Sequence, residues 1–95
     1  MRKKLELTER EILRQVRDYL RVKGWFVYRN HQSLGSHKGL ADLTAIKGSH
    51  AIWIEIKKSK AELSKHQELF ANDIREHGGL YLTIHSLEEI MEWVK

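Results

Sequence analysis

Asp42 and Glu55 stand thirteen positions apart, and Lys57 follows the glutamate by two. Alternate residues of a strand share a face, so Glu55 and Lys57 project together while Ile52, Ile54 and Ile56 point the other way. An acid and an amine side by side at the end of an apolar strand, with a second acid on the preceding strand, suit metal-dependent phosphodiester hydrolysis. That reaction needs charge neutralisation at the phosphate, an activated water and a stabilised leaving oxygen, and a divalent ion can supply all three. Hard oxygen ligands favour Mg²⁺ or Mn²⁺. Asp42 and Glu55 would provide carboxylates, and the backbone carbonyl of Ile56, between Glu55 and Lys57, would add an oxygen. Lys57 would contact the scissile phosphate or orient the attacking water, and its charge would moderate repulsion between the acids.

Glu9 is the third acid of interest. It precedes Ile12 by three positions, Leu13 by four and Val16 by seven, which places it on the inward side of a first helix. From there a glutamate could reach a metal site carried by the sheet. Glu11 competes for that role, but Thr8 with Glu11 three residues on reads as a capping box, which accounts for Glu11 without catalysis.

The elements that must position these groups follow from periodicity and punctuation. Proline is absent, so glycines and polar clusters mark the boundaries. A helix starts near Thr8, carries Ile12, Leu13, Val16 and Leu20 at helical spacing, and stops at Gly24. Residues 25–29 read as a strand. Residues 31–39 (HQSLGSHKG) read as a mobile loop. Residues 40–47 and 50–57 form two strands joined by a tight turn at Gly48-Ser49, an antiparallel hairpin. Ser64 caps a second helix with Leu69, Phe70 and Ile74 among its apolar positions, ended by Gly78-Gly79. A strand over 80–84 and a last helix capped by Ser86 complete the chain. The order α-β-β-β-α-β-α predicts a small mixed α/β sheet with helices packed on it.

At 95 residues the chain makes one domain, spanning 1–95. It is 41% hydrophobic and 32% charged, a balance that excludes disorder. No apolar run reaches the roughly 20 residues that span a bilayer, and the basic start lacks a signal-peptide core, so a cytoplasmic location is expected. Without cysteine there are no disulfides, thiolate zinc sites or cysteine nucleophiles. None of the six histidines forms the i, i+4 pair of a helical zinc motif. Nothing points to an organic cofactor or a membrane. The formal charge of +4 is a modest excess, compatible with nucleic acid.

The ordered series of motifs resembles the PD-(D/E)XK nuclease superfamily and, within it, the VRR-NUC (virus-type replication-repair nuclease) domain. The resemblance spans nearly the whole chain. It runs through Glu9-x-x-Ile12 with Tyr19-Leu20, Tyr28-Arg29-Asn30, Gly39-Leu40-Ala41-Asp42, Glu55-Ile56-Lys57-Lys58 and Leu63-Ser64-Lys65-His66-Gln67. Gly78-Gly79-Leu80-Tyr81 and Ser86-Leu87-Glu88-Glu89 close it. An E-x-K triplet alone carries little information in a lysine-rich chain; the full series is specific. The resemblance implies a restriction-endonuclease-like core, with Glu9, Asp42 and Glu55 as metal ligands, Lys57 catalytic and Gln67 organising the site. It also implies Mg²⁺- or Mn²⁺-dependent cleavage of DNA, and small stand-alone members resemble homodimers acting on branched DNA such as four-way (Holliday) junctions. One departure is Ala41, where the family often carries proline; that proline stiffens the strand and is not chemical.

Simpler readings exist for the flanking residues. Lys58, Lys60 and Lys65 would touch DNA phosphates or form a solvated charged face. Arg29, Asn30 and His37 would contact a phosphate at the mouth of the site or serve as surface polar groups. Trp25, Trp53 and Trp93 read as core or dimer contacts, with Trp53, on the Glu55 face, the candidate for base stacking. The alternative for the whole chain is a non-catalytic DNA-binding module that keeps the nuclease fold.

Overall fold

The computed structural model describes residues 6–59 and 61–95; Lys60, one of the predicted phosphate contacts, lies outside them. Helix α1 (Glu9–Val22) begins at Thr8, whose hydroxyl accepts from the Glu11 N–H (3.1 Å) while the Glu11 carboxylate accepts from the Thr8 N–H (3.0 Å). This is the predicted capping box, and it takes Glu11 out of contention as a site acid. The apolar stripe Ile12, Leu13, Val16 and Leu20 is buried along one side of the helix.

Four strands follow the order β1-β2-β3-β4: β1 (Phe26–Arg29), β2 (Leu43–Lys47), β3 (His50–Ile56) and β4 (Leu80–Ile84). The first two pairings are antiparallel and β3 with β4 is parallel. A parallel pair needs a crossover, and α2 (Lys65–Glu76) supplies it. Helix α3 (Leu87–Trp93) ends the chain. The sheet is therefore covered on both faces. Ile52, Ile54 and Ile56 join Ile12, Val16, Leu20 and Ile90 in the larger core under α1 and α3. On the other face, Phe70 and Ala71 of α2 cluster with Tyr81 and Ala41, with Trp53 packed against them. The α-β-β-β-α-β-α order and the small mixed sheet match the sequence reading.

Two strands are shorter than the hydropathy suggested. Strand β2 starts at Leu43 and not at residue 40, and β3 stops at Ile56, one short of Lys57. The reason lies in Asp42: its carboxylate, not a backbone carbonyl, accepts the Ile56 N–H at 2.8 Å, so a side chain replaces the next rung of the β2–β3 ladder. Lys57 still donates its N–H to the Ile84 carbonyl (3.0 Å), which extends the parallel pairing past the strand end. Trp25 likewise precedes β1 and packs against the larger core. Within the 31–39 loop, the Gln32 amide donates to the His37 carbonyl (2.7 Å) and Ser36 closes a turn on Ser33.

Candidate active site

The site forms where β2 begins and β3 ends, and each side chain reaches it for a local reason. Asp42 is fixed by its bond to the Ile56 N–H. In a strand the N–H and C=O of one residue point to the same side. The Ile56 carbonyl therefore also faces the Asp42 side, and both residues line one cleft of about 360 Å³ with Glu9, Arg10, Leu13 and Arg29. Glu9, in the first turn of α1, accepts the Lys58 N–H at 3.0 Å, which ties the helix start to the chain leaving β3. The same chain is held from just beyond β4 by the His85 ring, whose Nδ1 lies 3.0 Å from the Lys57 carbonyl.

Glu55 points to the opposite face and is only 4% exposed. Its Oε2 accepts from Nε2 of Gln67 at 3.0 Å. Gln67 does two jobs at once: its Oε1 accepts the Ser64 N–H (2.9 Å) and its own N–H bonds the Ser64 hydroxyl (3.2 Å), the capping box of α2. The amide orientation that caps the helix therefore aims the NH₂ at Glu55. A second cleft of about 410 Å³ opens on this side, lined by Asp42, Glu55, Gln67, Lys38, Gln32 and His66 among others. Asp42 borders both clefts.

Burial first, and then the neighbouring Asp42 carboxylate, push the Glu55 carboxyl up to about 8, with Lys57 pulling the other way and Glu9 adding a smaller upward push. The Asp42 and Glu55 carboxyls lie close together, which is why Asp42 acts on the Glu55 carboxyl. Burial, then Glu55 and Asp42, also push the Tyr81 phenol upward. Among the described residues the single side-chain ion pair is Arg17–Asp18, so no lysine or arginine sits within 4 Å of these acids.

The structure thus brings Asp42, Glu55, Gln67 and the Ile56 backbone together, with Glu9 and Arg29 across the first cleft. Lys57 is half-buried beside them, close enough for its charge to act on Glu55. No three histidine, aspartate or glutamate side chains among the described residues converge tightly enough to form a ligand cluster, and the Glu9 carboxylate accepts from the Lys58 N–H. Other predicted contacts are engaged elsewhere. The Asn30 amide donates to Thr44 Oγ1 (2.8 Å), and the His37 ring stacks edge-on against Phe70. Lys58 and Lys65 are exposed. Trp53 is half-buried against the α2 cluster and not a free platform. Sequence reasoning passed over Arg10, Lys38 and His66, which line the clefts, and Tyr81. Lys38 carried one signal, its place next to Gly39; Tyr81 carried none until the β3–β4 register was known.

A mixed sheet with a parallel β3–β4 pair, helices on both faces and a carboxylate pair at the carboxyl end of β3 defines a nuclease domain of the PD-(D/E)XK type. The family model described as "Archaeal holliday junction resolvase (hjc)" matches residues 2–95, and the chain belongs to that Hjc family. Membership places it among nucleases acting on DNA. A solved structure, a VRR_NUC domain, superimposes with a TM-score of 0.80 at 17% identity, covering 90% of this chain and 92% of the other. At that identity the likeness speaks for the fold. No curated protein matches the sequence.

Proposed function

We propose that this chain is an Mg²⁺- or Mn²⁺-dependent endonuclease that cuts branched DNA, four-way junctions above all, as a homodimer. The observation that carries the metal requirement is the Asp42–Glu55 pair: two carboxyls in contact, one of them buried, with Glu55 Oε1 accepting no hydrogen bond and no cationic side chain within 4 Å among the described residues. A phosphodiester could not approach such a pair without a counter-charge. The donors are all hard oxygens, and the residues fit a Mg²⁺ or Mn²⁺ ion.

Asp42, Glu55 and the Ile56 carbonyl would hold the ion, with Glu9 reached across the first cleft. When bound, the ion neutralises phosphate charge and acidifies a water. The rest falls to the protein. Gln67 keeps Glu55 pointed at Asp42. Lys57 follows β3 directly and presents its ammonium to the scissile phosphate, where it stabilises the charge that develops on the oxygens. Arg29 and Lys38 flank the two clefts and would steer the strand by its phosphates, with Lys58 and Lys65 adding salt-sensitive attraction. Asn30 and His37 serve this surface indirectly, by fixing the start of β2 and the loop against α2.

Each monomer has one such site, and symmetric cutting of two strands needs two, related by a twofold axis. The family description names Holliday junction resolvases, which supports the junction preference. The deciding experiment compares cleavage of duplex, flap, single-stranded and four-way DNA in Mg²⁺ and Mn²⁺, with Asp42→Ala as control and sedimentation to read the assembly. Paired, symmetric incisions of the junction by wild type only are the expected result. Binding without cutting by wild type and Lys57→Ala alike would establish the non-catalytic module instead.

Gln67 gives a sharper check. Gln67→Ala removes the side-chain half of the capping box and the Glu55 donor, while the backbone N–H of residue 67 still meets the Ser64 hydroxyl. It should cost about 1–2 kcal/mol of stability and slow cleavage roughly 10- to 100-fold with DNA affinity unchanged. Gln67→Glu keeps the cap acceptor but places a third carboxylate against Glu55; its activity should fall at least as far, while a rate equal to wild type would remove Gln67 from the site.

A further inference from the structure

Two buried side-chain polar atoms make no hydrogen bond among the described residues: Oε1 of Glu55 and the hydroxyl oxygen of Tyr81. One is an acceptor when ionised and the other, a phenol, is a donor at neutral pH. They belong to neighbouring strands. Tyr81 pairs with Trp53 in the parallel β3–β4 register, two positions before Glu55, and both side chains project to the α2 face, Tyr81 into the Phe70–Ala71 cluster and Glu55 onto Gln67. The two side chains therefore share one face of adjacent strands, with no hydrogen bond joining the two atoms.

We propose that the Tyr81 hydroxyl is a positioning group for Glu55, donating to its second carboxylate oxygen directly or through one water in the working site, so that Glu55 is held from both sides, by Gln67 and by Tyr81. The bland alternative is that Tyr81 only fills space. Its ring does pack: it meets Phe70 edge-on with centroids 6.2 Å apart and carries the Arg75 guanidinium 5.6 Å above it. A phenylalanine would make the same contacts, and a buried hydroxyl without a partner is a net cost. Tyr81 is 2% exposed, so bulk water cannot satisfy it. An acceptor supplied in the working site would satisfy it, and Glu55 Oε1, on the same face of the neighbouring strand, is a buried oxygen without a donor. With Gln67 on one oxygen and Tyr81 on the other, the carboxylate loses its rotational freedom and is presented to Asp42 in one orientation.

The consequence for catalysis rests on the nuclease reading, but the positioning itself does not. The test is Tyr81→Phe beside wild type and Asp42→Ala, read by Mn²⁺ calorimetry, by metal-free melting, and by kcat and KM on a four-way junction. A donor lost from a charged group predicts Mn²⁺ affinity and kcat each lower by roughly 10- to 100-fold. KM should stay unchanged, and the melting temperature should be equal to or above that of wild type. Unchanged Mn²⁺ affinity and kcat would overturn the proposal. So would a melting temperature well below wild type with activity falling in step, since that marks a packing role. If wild type binds Mn²⁺ but cuts no DNA, while Tyr81→Phe still binds Mn²⁺ more weakly, the positioning stands and the nuclease reading falls. If wild type binds no Mn²⁺, both fall.

Discussion

Glu55→Gln should abolish cleavage and stabilise the protein in the same stroke. The loss follows from the proposed reaction, in which Glu55 is one of the two carboxylates that would hold the ion, and a fall of about a thousandfold or more in kcat is expected. The gain follows from electrostatics. In the metal-free protein burial and Asp42 raise the Glu55 carboxyl to about 8, against 4.5 for the ordinary group. Between those values the folded state holds a proton that the unfolded state has released, so stability declines as pH rises. The contribution is complete below 4.5 and lost by the time pH passes 8. A glutamine has the shape of the protonated acid, accepts from Gln67 as Glu55 does, and never ionises. Glu55→Gln should therefore match wild type near pH 4.5 and exceed it by on the order of 2–4 kcal/mol at pH 8. Thermal melting across pH 4.5–8.5 reads this directly. A parallel pair of melting curves would show that Glu55 carries no ionisation penalty, and with it the case for a cation at this site would go. Because metal and proton compete for the carboxylate, Mg²⁺ or Mn²⁺ should raise the wild-type melting temperature more at pH 8 than at pH 6, and leave Glu55→Gln almost unmoved.

The largest structural effect should come from Gly39. Its φ is +75°, and a Cβ there would sit 2.1 Å from the His66 carbonyl oxygen and 2.8 Å from the Gln67 nitrogen, all backbone atoms that cannot swing aside. Gly39→Ala must push the start of α2 away from the Asp42 segment, and that start carries the Gln67–Glu55 contact. A destabilisation on the order of 3–5 kcal/mol is expected from strain plus overpacking, a fall in melting temperature on the order of 15–30 °C. Activity should be lost even at temperatures where the variant is folded. Gly35 provides the control: its φ is +91°, but a Cβ there would meet nothing within 4 Å. Gly35→Ala should cost only the backbone term, about 1–2 kcal/mol, and leave the site intact. Equal melting temperatures for the two variants would mean that close approach to α2 is not what Gly39 provides.

The contrast between these two glycines marks where sequence reading reached and where it stopped. Element order was legible because it rests on local rules: helical spacing in Ile12, Leu13, Val16 and Leu20, caps at Thr8, Ser64 and Ser86, stops at Gly24 and Gly78. So was the alternation that sends Ile52, Ile54 and Ile56 to one core and Glu55 to the other face. The candidate acids and Lys57 could be named from their spacing, since β periodicity alone puts Glu55 and Lys57 together. Strand ends were misjudged by a few residues because a carboxylate, Asp42, substitutes for a backbone acceptor, and hydropathy does not register that exchange.

By itself, then, the sequence determined which residues lie on which element and which face, because those relations are set within a few positions along the chain. Only the tertiary structure decided how the elements meet. It made the Gln67 capping amide also a Glu55 donor, turned Glu9 to the Lys58 N–H at the rim of the Asp42 cleft, and brought Tyr81 under the site through a parallel pairing across 28 positions. Those contacts depend on the crossover through α2 and on the register of β3 with β4, long-range quantities that no local periodicity encodes.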